Sequence, residues 1–229
     1  KQMARLVGPK GGLDKVIKSV QSGHALVHLD PEQTRKAVDV SEAMAKRFLA
    51  GSDAESEVLV AAIGGSVSGD YLMRTLDLKD GPKVTFITDY DEERLGIILE
   101  KIRKSPEKIR IVIISKSGVT TEVDVNGMAM VDALKKALRA KGVPEDDIKE
   151  HFLFITDPQL GNLREKVRDE GYMSLDHPEH GGRFTMLTEL GLFFYFLKGG
   201  DSNGLLEALD NWGNDTKRLS GISKKIIPY

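Results

Sequence analysis

Cysteine is absent from the 229 residues. That excludes disulfides, thiolate metal sites and cysteine nucleophiles, and it is compatible with a reducing compartment. An excess of charge is absent too, since 33 Lys and Arg stand against 35 Asp and Glu for a net charge of -2. Such balance offers no reason to expect nucleic acid or an anionic membrane as partner. No apolar run reaches the roughly 20 residues that a membrane span requires. The most apolar stretch, "FTMLTELGLFFYFLKGG", is interrupted by Glu189 and reads as a buried core helix. The amino end, "KQMARLVGPKGG", has no apolar core of signal-peptide length. It starts at Lys1 instead of a methionine, which reads as trimming, and "SKKIIPY" at the other end carries no closing signal. Internal repeats and low-complexity tracts are missing as well.

Five short apolar runs read as strands: "VLVAAI" (58–63), "VTFI" (84–87), "RIVII" (110–114), "FLFI" (152–155) and the weaker "YMSL" (172–175). Four of them lack polar alternation, as expected of strands covered on both faces. Helical patterns separate them, over 31–50, near 67–77, 91–104, 121–141 and 158–170. Asp30 before Pro31, and Asp157 before Pro158, read as capped helix starts. Gly142 follows a basic last turn and reads as a helix stop. "GSDAESE" (51–57) reads as a polar loop and "KGGDSNG" (198–204) as a turn. Strands alternating with helices predict βαβ units, a mostly parallel sheet and right-handed crossovers. The fold class is α/β. Beyond Arg183 the pattern is helical to the end.

In such a sheet, ligands bind beyond the carboxyl ends of the strands. Three of the five strand exits are unusual. "GGSVSG" (64–69) sets two glycines and two serines between a strand and a helix, where backbone approaches a ligand closely and free N–H groups face it. It is neither a Walker loop nor a G-x-G-x-x-G fingerprint; tight packing alone also explains such glycines. "SKSGVTTE" (115–122) is richer. Ser115, Ser117, Thr120 and Thr121 can each donate a hydroxyl to phosphate oxygens, Gly118 permits a sharp turn, and Lys116 brings charge or points to solvent. A helix cap needs only one such residue. "HGGRFTMLTELG" holds Arg183 behind two glycines, either paired with a carboxylate or kept for an anion. His177 and His180 are three apart, but the intervening Pro178 argues against a metal site. His24, His28 and His151 read as ordinary.

Taken together these loops resemble the phosphoglucose isomerase family, whose domains have the sugar isomerase (SIS) fold. "AIGGSVSGD" resembles that family's G-I-G-G-S-x-x-G-x stretch, "ISKSGVTTE" its I-S-K-[ST]-x-x-T-x-E stretch, and "HGGRFTMLTELGL" its V-G-G-R-[FY]-S-x-x-[ST]-x-x-G-L signature. "TDPQLGNLREKVRDEGY" is similar to the fourth-strand region of the bacterial branch. The likeness covers about 58–198. It implies a three-layer αβα sandwich with a five-stranded parallel sheet in flavodoxin-like order, first and third strands side by side. It also implies an organisation: a helical segment at 1–50, the SIS domain at 51–200, and a helical segment at 201–229 leading to a second domain.

By that resemblance Ser115, Ser117 and Thr120, with the backbone at Lys116, hold the phosphate of glucose 6-phosphate or fructose 6-phosphate. Gly65, Ser66 and Gly182 line the sugar. Arg183 faces the reacting carbons and is the catalytic residue of this chain. The implied reaction is aldose–ketose isomerisation through a cis-enediolate, in glycolysis and gluconeogenesis. It implies no cofactor and no metal, a small sugar phosphate as the partner molecule, a cytoplasmic location and a homodimer in the full-length form.

The departures are specific. Val119 stands where the family has a threonine, His180 where it has valine, and Glu189 where proline or alanine is common. The family's proton-moving glutamate lies in a later E-S-N-G-K stretch. "GDSNGLL" (200–206) resembles it superficially, with Asp201 in place of the acid. Two readings stay open: an isomerase represented by its phosphate-binding domain, or a non-catalytic sugar-phosphate-binding SIS module that regulates a partner. Gly-Gly-Arg favours the first. A nucleotide-binding domain is disfavoured by the missing phosphate-loop motifs.

Overall fold

In the computed structural model the apolar runs form one five-stranded, all-parallel sheet. Its strands are β1 (Glu57–Ala61), β2 (Lys83–Ile87), β3 (Ile109–Ser115), β4 (Phe152–Thr156) and β5 (Met173–Asp176). The strand order is β2-β1-β3-β4-β5. The structure describes residues 31–76, 78, 80–89, 91–116, 121–178, 185–208 and 210–211. Its helices include α1 (Pro31–Phe48), α2 (Ser68–Thr75), α3 (Glu92–Lys104), α4 (Thr121–Ala140), α5 (Glu145–Lys149), α6 (Asn162–Glu170) and α7 (Glu189–Leu197).

Alternation along the strands decides the layers. Val58, Val60, Val112, Ile114, Leu153 and Ile155 pack on one side with Ala37, Ala45 and Phe48 of α1 and with the buried face of α7. Leu59, Ala61, Ile111, Ile113, Phe152 and Phe154 pack on the other with Ile98 and Ile102 of α3, Leu134 and Leu138 of α4, and Leu163 and Val167 of α6. Both faces are thus covered, which is why the strands read as unbroken apolar runs. This is the three-layer αβα architecture expected. Burying each large aliphatic or aromatic side chain stabilises by about 1.5–3 kcal/mol, so the two clusters hold the layers together.

Local chemistry explains most element ends. Asp91 accepts the Arg94 amide hydrogen at 3.0 Å and so caps α3. Beyond α4, Gly142 takes φ +77, a left-handed stop. At the amino end of the sheet Arg110 donates to Ser52 Oγ at 2.6 Å, to the Glu150 carbonyl at 2.5 Å and to the Ala50 carbonyl, with its guanidinium over the Phe48 ring. It ties the end of α1 to β3 and to the turn before β4.

Four boundaries differ from the sequence pattern. The 198–204 stretch, expected as a turn, is one only at its start, because the chain is helical again from Ser202. Glu57, expected in a polar loop, begins β1 and is buried against Thr85 and Lys101. Burial pushes its carboxyl up, but hydrogen bonds from Lys101 and Thr85 outweigh this and hold it below its usual range. The helix expected from Pro158 begins at Asn162, after Gly161 at φ +99. The apolar helix of the 185–197 stretch begins at Glu189, because Thr185–Thr188 form a turn in which Thr188 Oγ1 donates to the Thr185 carbonyl at 2.8 Å. Asp30, expected as a helix cap, lies outside the described residues.

Candidate functional site

β1 and β3 are neighbours, yet the chain leaves β1 toward β2 and leaves β3 toward β4. The two exits therefore diverge and open a crevice at the carboxyl rim. After β1, residues Gly64–Val67 form a 3₁₀ turn, with Gly64 at φ +58 and the Ser66 amide donating to the Ile63 carbonyl at 3.2 Å. The left-handed value at Gly64 is one that glycine reaches without strain. α2 then starts at Ser68. After β3 the chain passes through Ser115, 3% exposed, and the exposed Lys116, and α4 starts at Thr121. Both helices turn their amino ends, the positive ends of their dipoles, toward the rim.

Ile63, Ser66, Ile114, Ser115, Lys116, Asp157 and Leu160 line a cavity of about 450 Å³ at this crevice. Of the residues singled out in the sequence, Ser66, Ser115 and Lys116 thus come together, with Gly65 in the adjoining turn. Ser117, Thr120, Gly182 and Arg183 lie outside the described residues, as does His180.

Beside Ile63 and Ile114, the wall includes Asp157 and Leu160, neither of them a candidate site residue in the sequence. Asp157 accepts the amide hydrogens of Gln159 and Leu160, each at 2.9 Å, and these bonds hold its carboxyl below the usual range. Its own amide donates to the Lys116 carbonyl at 3.3 Å. Leu160 is 73% exposed at the mouth of the cavity. The Asp-Pro pair was a visible signal, but it marks this turn instead of a helix start. Behind the wall, Thr156 pairs in register with Ser115 and is fully buried, its hydroxyl without a partner.

His177 follows β5 and is buried, its Nδ1 2.9 Å from the Pro178 carbonyl and its Nε2 unpartnered. Burial, with a smaller push from Lys116, holds the imidazole below its ordinary value of 6.5. Among the described residues no group of three or more His, Asp or Glu is placed to hold a metal ion. None of their helices is long and apolar enough to cross a membrane.

A larger cavity, about 870 Å³, lies beside α3 and the amino ends of β1 and β3. Several of its charges already pair, Lys101 with Glu57 and Lys108 with Glu55. It shares no lining residue with the crevice between β1 and β3.

No family model matches the chain. It is 33% identical over 146 residues to a glucose-6-phosphate isomerase of Carboxydothermus hydrogenoformans, covering 58% of this chain and 30% of the relative. It is 29% identical over 184 residues to a glucose-6-phosphate isomerase of Rubrobacter xylanophilus, covering 76% of this chain and 40% of the relative. The chain therefore spans less than half the length of the curated relatives it matches. Among solved structures, a hypothetical protein from Thermus thermophilus superposes with a TM-score of 0.67 at 25% identity, covering 87% of this chain and 45% of that one.

Proposed function

We propose that this chain, which belongs to the glucose-6-phosphate isomerase family, is the part of such an isomerase that grips the sugar phosphate and stabilises charge at the reacting carbons. The single observation that carries this is the shared cavity: Ser66 from the first strand exit and Ser115 with Lys116 from the third line the same crevice. A doubly charged phosphate needs many donors and little else. The hydroxyls of Ser115, Ser117 and Thr120, the backbone at Lys116 and the amino end of α4 supply that kind of cradle. Gly65, Ser66 and Gly182 line the sugar.

The reaction in this proposal interconverts glucose 6-phosphate and fructose 6-phosphate. A base moves a proton between carbon two and carbon one, and a cis-enediolate forms between. Negative charge grows on an oxygen as the proton leaves. A fixed guanidinium at Arg183 binds that oxyanion more strongly than it binds the ground state, and such a difference raises the rate. The sequence holds no E-S-N-G-K stretch for the proton-moving glutamate. The chain on its own therefore binds and polarises, and the base comes from elsewhere in the working enzyme. In this proposal 51–200 is the SIS domain, 1–50 a leading helical segment and 201–229 the link to a second domain; the assembled enzyme is a cytoplasmic homodimer.

Calorimetric titration tests the proposal. Fructose 6-phosphate and inorganic phosphate should both bind the chain and compete for one site, and Ser115→Ala should weaken both. A chain that binds neither would overturn it. Turnover of glucose 6-phosphate by the 229-residue chain alone should be negligible, and robust turnover would show that the base has been misplaced.

A further inference from the structure

Arg164 sits in the first turn of α6 with a side chain only 11% exposed. Its guanidinium touches the ends of two strands. Nε donates to the Asp157 carbonyl at 2.6 Å, and one Nη donates to Ser174 Oγ at 3.2 Å. The other Nη donates to Asp176 Oδ1 at 2.6 Å and to the Thr156 carbonyl at 3.4 Å. A simple ion pair would need only Asp176, which is 67% exposed. Arg164 instead spends most of its fork on acceptors at the carboxyl ends of β4 and β5. Two of these are backbone carbonyls, that of Asp157 just past β4 and that of Thr156, which also accepts the His177 amide at 2.7 Å; covered carbonyls need a partner. The planar, forked guanidinium can reach them all at once; an ammonium cannot.

From Arg164 the chain of contacts runs straight into the cavity. Arg164 fixes the Asp157 carbonyl. The Asp157 carboxylate holds the 157–160 turn that forms one wall. The Asp157 amide reaches the carbonyl of Lys116, the residue at which the chain leaves β3. We propose that Arg164 is a positioning residue for this cavity: it ties the ends of β4 and β5 together and, through Asp157, holds in place the 157–160 wall and the backbone at Lys116, where the chain leaves β3. This rests on the phosphate site proposed above. The amino end of the sheet supplies an internal comparison, because Arg110 makes a similar clasp there, away from this cavity.

The test measures inorganic phosphate affinity by calorimetry, well below the melting temperature, for the 229-residue chain and for Arg164→Gln, Arg164→Lys and Arg110→Gln. Both Arg164 variants should bind about tenfold more weakly, a factor worth roughly 1.4 kcal/mol. Lysine should fail to restore affinity, because a point charge cannot span the fork. Arg110→Gln should lower the melting temperature and leave phosphate affinity unchanged. Should the Arg164 variants not fold, Asp176→Asn loosens the clasp without touching α6 and should weaken binding about threefold. Wild-type affinity in the folded variants, or full restoration by lysine, would overturn the positioning role. A wild-type chain that binds no phosphate would instead remove the underlying site, so the two failures are distinguishable.

Discussion

Gly69 lies so close beneath the ring of Phe194 that a methyl group on it would sit 2.1 Å from Phe194 Cδ2. Phe194 has no room to retreat, being fully buried between Phe86 and Phe193. The last glycine of "GGSVSG" therefore serves the packing of α2 on α7, whereas Gly64 serves the turn by its left-handed backbone. Gly69→Ala should destabilise by about 1–3 kcal/mol through overpacking, measured by urea unfolding. A variant as stable as wild type would mean that the two helices can part.

Glu170 is held down to about 2 from an ordinary 4.5. Burial pushes it up, but Lys135, Lys166 and the Tyr172 hydroxyl all donate to it, at 2.7, 2.6 and 2.6 Å, and win. A carboxyl lowered by folding stabilises fully above its unfolded value. That contribution should fade as pH falls from 4.5 toward 2. Glu170→Gln should flatten this part of the pH–stability curve, and an unchanged slope would show that other groups carry it.

His177 should titrate below 6.5, since burial opposes its charged form. The stability it contributes is complete above 6.5 and is lost as pH falls through the lower folded value. Following the imidazole carbon-bound protons by NMR gives the midpoint directly. A midpoint at or above 6.5 would mean that water or a carboxylate reaches the ring.

Arg183→Ala in the working enzyme should lower kcat by about 10²–10³-fold while the phosphate of the substrate still binds. Steady-state kinetics with glucose 6-phosphate measures it. An unaltered kcat would take the oxyanion role away from Arg183.

The fold was legible in the sequence where burial dictates residue type. Strands covered on both faces leave no polar positions, so "VLVA" and "IVII" announce themselves. The crevice was legible for a similar reason, because Ser66, Ser115 and Lys116 stand at strand exits where hydroxyls and charge have no packing role. Asp157 was misread because a carboxylate caps a turn and a helix by the same bonds; only Gly161, at φ +99, postpones the helix to Asn162. Arg164 was invisible. Its importance comes from β4 and β5 lying side by side in register, and no linear spacing encodes that. The burial of His177 escaped for the same reason.

The strand order also bears on how the chain reaches this state. Glu57 pairs with both Lys83 and Ile109, so the central β1–β3 ladder forms only after the whole β2–α3 excursion has been looped out. No hairpin can zip it. Such non-local pairing slows folding, because loop-closure entropy is lost before any contact compensates. The crevice is a product of that same excursion: until β3 docks against β1, Ser66 and Ser115 belong to separate stretches of chain, and the cavity they line does not exist.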